Sequence, residues 1–162
     1  PPDRAELVSV VSAQDMHDNV QSRLSETDIF VGVAAVADYR PKLVQNQKIK
    51  KDAADKRTLT LEFVENPDII AEVANNVPKP FTVGFAAETE NIEGYARKKL
   101  IEKKLDLIIA NNVANSQIGF NSDLNETTIL WQEGKINMPT MSKRALSEKI
   151  VTIISQHIKQ RI

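Results

Sequence analysis

Two groups of lysines are spaced so that they can meet an anion. Lys48, Lys50 and Lys51 lie in a long corner that runs from Ala34 to Lys51. If that segment is extended, alternation puts Lys48 and Lys50 on one side. Tyr95, Lys99 and Lys103 recur at i, i+4 and i+8 and form one stripe on a helix. Lysine meets phosphate as a mobile point charge, which suits a flap that closes over a charged intermediate. A solvated surface accounts for either group taken alone, and only convergence on one end of a sheet turns them into a site. Acids and amides cluster in Asp38-Tyr39-Arg40-Pro41, Asn66-Pro67-Asp68, Glu88-Thr89-Glu90-Asn91 and Asn111-Asn112. Such groups hold a metal, a sugar or a base edge, and equally cap helices and make turns.

Other chemistries are poorly supplied. His17 and His157 lack metal-ligand spacing and read as exposed helix residues, and no serine sits in a GxSxG elbow. Trp131 and Phe120 are too isolated for a base-stacking platform and read as packing residues.

The elements that must position these residues follow from periodicity. Leu7–Val11 is β-branched and reads as an interior strand, and Ser12 with Asp15 forms a capping box for a helix to about Leu24. Met16, Val20 and Leu24 share a face of that helix. Residues 28–36 (DIFVGVAAV) are apolar at successive positions, as a central parallel strand is. Residues 58–64 (TLTLEFV) alternate as a half-exposed strand does. Asn66 then caps a helix to about Asn76, with Pro67 at its first position. Residues 81–87 (FTVGFAA) form a second buried strand, 91–104 a helix, and 106–110 (DLIIA) a third buried strand. A polar loop from Asn111 to Asn125 precedes a hairpin over 127–138, and a last helix starts at a Ser142 cap. Leu146, Ile150, Ile153, Ile154 and Ile158 make its apolar stripe. Alternating strands and helices predict an α/β, three-layer Rossmann-like fold, with a mostly parallel central sheet and a C-terminal hairpin. In such sheets ligands sit beyond the carboxyl ends of the strands, where the acid and amide loops fall.

Composition narrows the function. A chain of 162 residues without repeat, linker or low-complexity stretch is a single domain, residues 1–162. With 21 basic against 22 acidic side chains it has no general field for nucleic acid, so any anion site is local. The absence of cysteine excludes disulfides and thiolate metal sites and is compatible with a reducing cytoplasm. No apolar run approaches the roughly 18 residues of a membrane span. None of the five glycines builds GxGxxG or GxxxxGK[ST], which counts against a nicotinamide-dependent oxidoreductase.

AAVADYRP with KIKK downstream, then NPDI, VGFAAET, YARKKL with Lys103 beyond it, LDLIIANNV and GFNSD resemble the phosphopantothenoylcysteine synthetase family. The motifs run in the same order and spacing from about Leu7 to the C-terminus. The resemblance implies ligation of 4'-phosphopantothenate to L-cysteine through an acyl-cytidylate, with CTP and Mg²⁺, in coenzyme A synthesis. It implies that Asp38, Asn66 and Pro67 contact the nucleotide, that Phe85 lies beside the cytosine, and that Lys99 and Lys103 bind the triphosphate. Lys48 is then the catalytic flap lysine, and Ala34 and Ala35 line the intermediate with backbone. The long corner is explained as a cover for a hydrolysis-prone anhydride. A cytoplasmic homodimer is implied, as is a fused or associated flavin-dependent decarboxylase, though nothing in this chain resembles a flavin domain. Members begin with a strand and a glycine-containing loop that have no counterpart here, so the domain is expected to be N-terminally incomplete. The alternatives are an ATP-using member and a non-catalytic nucleotide-binding or dimerisation fragment.

Overall fold

The computed structural model describes residues 3–45, 47–49, 59–113 and 122–161. Local signals set most of the helices. Ser12 Oγ accepts from the Asp15 amide at 3.0 Å and Asp15 Oδ2 accepts from the Ser12 amide at 3.0 Å. This box starts α1, Ala13–Gln21. The helix is shorter than periodicity predicts, because Leu24 falls in a separate 3-10 turn, Leu24–Glu26. Leu24 is nevertheless buried, and Met16 and Val20 pack on its cluster, so the expected apolar face survives the break.

The main sheet has five strands: β1 (Ile29–Gly32), β4 (Phe81–Glu88), β5 (Leu107–Asn112), β6 (Leu124–Trp131) and β7 (Gly134–Ser142), in that spatial order. β1, β4 and β5 are parallel, and the β6–β7 hairpin continues the sheet antiparallel. The sheet is therefore mixed, with the parallel half carrying the loops of interest. A separate antiparallel pair joins β2 (Tyr39–Pro41) to β3 (Phe63–Glu65).

Helices cover both faces of the main sheet, giving the expected three layers. On one face α4 (Lys143–Arg161) sets Leu146, Ile150 and Ile154 against Phe81, Val83, Leu107, Ile109 and Ile129. This is the predicted stripe, started as predicted by Ser142, whose Oγ accepts from the Ala145 amide at 3.2 Å. On the other face α3 (Ile92–Glu102) buries Ala96 and Leu100 over Ala86, Ile108, Ala110 and Leu130. Beside it lies α2 (Ile69–Ala74), which buries Ile69 and Val73 with Leu24. α2 and the end of α3 come so near the strands that a methyl on Gly84 would stand 2.8 Å from Leu105 and 3.1 Å from Ile70. That close approach, not a turn, requires the glycine.

Four expectations are corrected. β1 is the edge of the sheet, not its centre: it pairs only with β4 among the described residues, and Ile29 and Val31 are 44% and 43% exposed. Residues 33–37 continue from it without strand pairing. Leu7–Val11 belongs to no strand, and Val11 is almost wholly exposed. The half-exposed strand is reduced to β3, with its apolar Leu59, Leu61 and Phe63 facing solvent, and Thr58 lies outside the described residues. Finally, Asp68 rather than Asn66 caps α2, accepting from the Ala71 amide at 3.2 Å. The two histidines also differ from expectation. His17 is held between carboxylates, and His157 packs against Trp131 in a tilted arrangement, with ring centroids 4.8 Å apart and planes 57° apart.

Candidate functional site

Beyond the carboxyl ends of β1 and β4 the chain opens a cleft of about 730 Å³. Its size is that of a small-molecule site. It is lined by Ala34, Asp38, Asn66, Pro67, Phe85 and Lys103, together with Met16, Val20, Asp68 and Ile70. The geometry thus gathers six of the residues singled out from sequence, although they come from four separate stretches of chain.

The walls are built by a small set of polar contacts. Asn66 Nδ2 donates to the Ala37 carbonyl at 2.8 Å, and the Asn66 amide donates to the Asp38 carbonyl at 2.8 Å. Arg40 Nη1 donates to the Glu65 carbonyl at 2.7 Å and to Asn66 Oδ1 at 3.0 Å. These bonds tie the exit of β1 to the β3–α2 connection. They also explain why Asn66 does not cap α2: its amide is already bonded at both ends. Arg40, named in sequence only as part of the Asp38-Tyr39-Arg40-Pro41 loop, is the contributor whose role sequence reading did not give. Its place in a strand beside Asn66 depends on the β2–β3 pairing, in which Arg40 stands opposite Val64, far along the chain.

Cations and anions meet at one rim. Lys103 Nζ lies 2.8 Å from Asp68 Oδ2, so the last turn of α3 is linked to the start of α2. One turn earlier Lys99 Nζ donates to Glu88 Oε1 at 2.6 Å. Lys99 does not line the cleft, and neither does Glu88, the last residue of β4. Phe85 lies on the α4 face of β4, packed against the core there, and presents to the cleft from the opposite side.

Ala35 and Lys48 are exposed and do not line the cleft. Lys50 and Lys51 lie outside the described residues, as does most of the Asn111–Asn125 loop, including Phe120. Among that loop's described residues Asn125 is buried: its Nδ2 donates to Asn111 Oδ1 at 3.1 Å, fastening β6 to the end of β5. Among the described residues no three or more His, Asp or Glu side chains gather to hold a metal.

A mixed α/β sheet with helices on both faces, and a cleft at the carboxyl ends of its parallel strands, defines a Rossmann-like domain. Comparison with known proteins is more specific. The chain belongs to the family described as the DNA/pantothenate metabolism flavoprotein C-terminal domain, whose model matches residues 1–158. It is 47% identical over 152 residues to the coenzyme A biosynthesis bifunctional protein CoaBC of Vibrio cholerae, covering 93% of this chain and 38% of that protein. To the CoaBC of Escherichia coli strain K12 it is 46% identical over 145 residues, covering 89% of this chain and 36% of the relative. The chain thus spans well under half the length of these relatives. A crystal structure of the C-terminal domain of CoaBC superposes with a TM-score of 0.78 at 32% identity, over 99% of this chain and 69% of that one. The family read from AAVADYRP, VGFAAET and the later motifs is therefore the one the comparisons return.

Proposed function

We propose that this domain catalyses the CTP-dependent ligation of 4'-phosphopantothenate to L-cysteine. A carboxylate oxygen of phosphopantothenate attacks the α-phosphorus of CTP, and the bond to pyrophosphate breaks. The cysteine amine then attacks the acyl carbon, the acyl–oxygen bond breaks, CMP leaves and the ammonium proton is lost to solvent. The observation that carries this reading is the single cleft shared by Asp38, Asn66-Pro67, Phe85 and Lys103 at the carboxyl ends of β1 and β4.

The site residues divide the work. Phe85 offers a flat apolar surface to the cytosine, and Asp38 with the Asn66-Pro67 backbone offers polar contacts to the nucleoside. Lys103 and Lys99 neutralise the triphosphate, with charge-assisted bonds that are stronger than neutral ones. The small side chain of Ala34, which lines the cleft, allows the acyl-cytidylate to lie against backbone, and Ala35 next to it would do so only if the corner moved inward. Lys48 belongs to the corner that closes over it. Mg²⁺ fits as a companion of the nucleotide: Asp38 and Asp68 line the cleft, yet the described residues form no cage of three ligands, and magnesium typically takes one or two carboxylates plus phosphate oxygens. When bound it offsets phosphate charge.

The same reading includes a homodimer, a cytoplasmic setting and a flavin-dependent decarboxylase as the other half of a bifunctional protein. The relatives' bifunctional name and greater length support the second half alone; the homodimer and the cytoplasmic setting follow from the family resemblance.

The test is product analysis on the whole protein carrying this chain. With Mg²⁺, CTP and 4'-phosphopantothenate, pyrophosphate is expected to appear before cysteine is added, and CMP only after. ATP in place of CTP is expected to be a poor substrate; equal rates would transfer the reading to the ATP-using type. If neither nucleotide releases pyrophosphate, the ligase reading falls.

A further inference from the structure

Lys99 and Lys103, one turn apart on the α3 stripe, are held in different ways. Lys103 and its partner Asp68 are 34% and 48% exposed, so their pair is open to solvent, and Asp68 also caps α2. Such a pair is screened and easily exchanged. Lys99 is 46% exposed, but its partner Glu88 is only 14% exposed. Glu88 is also the fixed half of the pair. It ends β4, stands opposite Asn112 of β5, and its carbonyl accepts from the Val113 amide at 3.1 Å. A long, half-exposed ammonium is thereby anchored to a shielded carboxylate at the end of the strand that also carries Phe85.

Left alone, a shielded carboxylate beside a polyphosphate would repel it. Joined to Lys99 at 2.6 Å, it becomes the inner end of a dipole whose positive end faces outward. An ammonium has three N–H donors in all, so one bond to Glu88 leaves the others for phosphate oxygens. We propose, resting on the nucleotide site assigned above, that Glu88 is a positioning residue for the triphosphate: it holds the Lys99 ammonium at the end of β4, while Lys103 exchanges Asp68 for phosphate. Position is the property Glu88 supplies, since the rotamer freedom of a lysine otherwise has to be removed on binding.

Position and charge are separable by substitution. Glu88→Gln keeps an oxygen acceptor in place and removes the charge, whereas Glu88→Asp keeps the charge and withdraws the acceptor by one methylene. The experiment is calorimetric titration of CTP, with Mg²⁺, into the whole protein and these variants, each paired with Lys99→Ala. Glu88→Asp is expected to weaken CTP binding by about five- to tenfold, and Glu88→Gln by no more than about twofold. In the Lys99→Ala background both effects should vanish, because the residue being positioned is gone. A reversed order of the two variants, or a Glu88→Asp loss that persists without Lys99, overturns the proposal. Lys99→Ala binding CTP as tightly as the unaltered protein overturns the assignment of the triphosphate site instead. Cytidine serves as the control ligand: it has no phosphate, so its binding should not respond to any change at Glu88.

Discussion

At the scale of single residues, Asn66 shows how a side chain with the right chemistry for a ligand is committed to the scaffold. Both ends of its amide are used, one on the Ala37 carbonyl and one by Arg40. Each bond is worth only about 0.5–1.5 kcal/mol to folding. Their geometric effect is larger, because they fix the loop that bears Asp38 against the turn that bears Pro67. Asn66→Ala is therefore expected to weaken CTP binding by about three- to tenfold, at modest cost in melting temperature. Arg40→Ala should do the same, and the double variant should lose little more than either, since both act through one contact. Full additivity in the titrations would show that the two residues act separately. The residue types at the site were legible from sequence, but their division of labour was not. Nothing local distinguishes an asparagine that caps a helix from one whose amide is claimed by an arginine on a neighbouring strand, and here Asp68, two positions on, took the cap.

At the scale of elements, the legible parts were those decided by contacts within a few residues. The Ser12 capping box, the α4 stripe and the unbroken apolar run of β4 all formed as read. What was not legible depends on partners far along the chain. β1 has the composition of a central strand, yet the identity of a strand's neighbours is not encoded in its own alternation, and among the described residues its outer edge is unpaired. His17 is a second such case. A lone histidine on α1 reads as a surface residue, but folding brings Glu72 of α2 within 2.8 Å of Nε2, while Asp18 lies 2.9 Å from Nδ1. Gln14 joins Asp18 and Gln21 joins Glu72 in the same network. The hydrogen bond to Asp18, then that to Glu72, raises the His17 pKa above its ordinary 6.5. A raised folded pKa stabilises the fold while histidine is protonated in both states, so the contribution is complete below 6.5 and is lost as pH rises through the folded value. On the acid side, the bond from His17 lowers the Asp18 pKa below 3.8, and that contribution is lost as pH falls through the lowered value. Melting temperature is therefore expected to decline from mildly acidic to mildly alkaline pH, and His17→Gln should flatten the decline. An identical slope in the variant would remove His17 as its cause.

At the scale of the whole molecule, the β2–β3 ribbon is the part least accounted for by the chain's own packing. Two-stranded pairs are marginal by themselves in water. Alternation places Arg40 and Val64 on one face, toward the Asn66 network, and Tyr39, Pro41, Phe63 and Glu65 on the other. Among the described residues the apolar part of that second face is exposed: Phe63 is 52% exposed, and Leu61 and Leu59, extending the same alternation, are 48% and 64% exposed, while Tyr39 and Glu65 at its other end border the cleft. The same ribbon supports the site, because Arg40 and Glu65 hold Asn66 through it. Pairing of this apolar face with its copy in a second chain, as the homodimer proposal implies, would bury the ribbon symmetrically and steady the loop that carries Asp38. Assembly and ligand binding are then linked: CTP should tighten the dimer, and dilution should weaken CTP. Sedimentation of the whole protein is expected to show a dimer that Leu61→Asp with Phe63→Asp converts to a folded monomer of lower CTP affinity. A dimer unaffected by both charges would place the interface elsewhere. A monomer that binds CTP as well as the dimer does would separate the ribbon's exposed face from the site it stands behind.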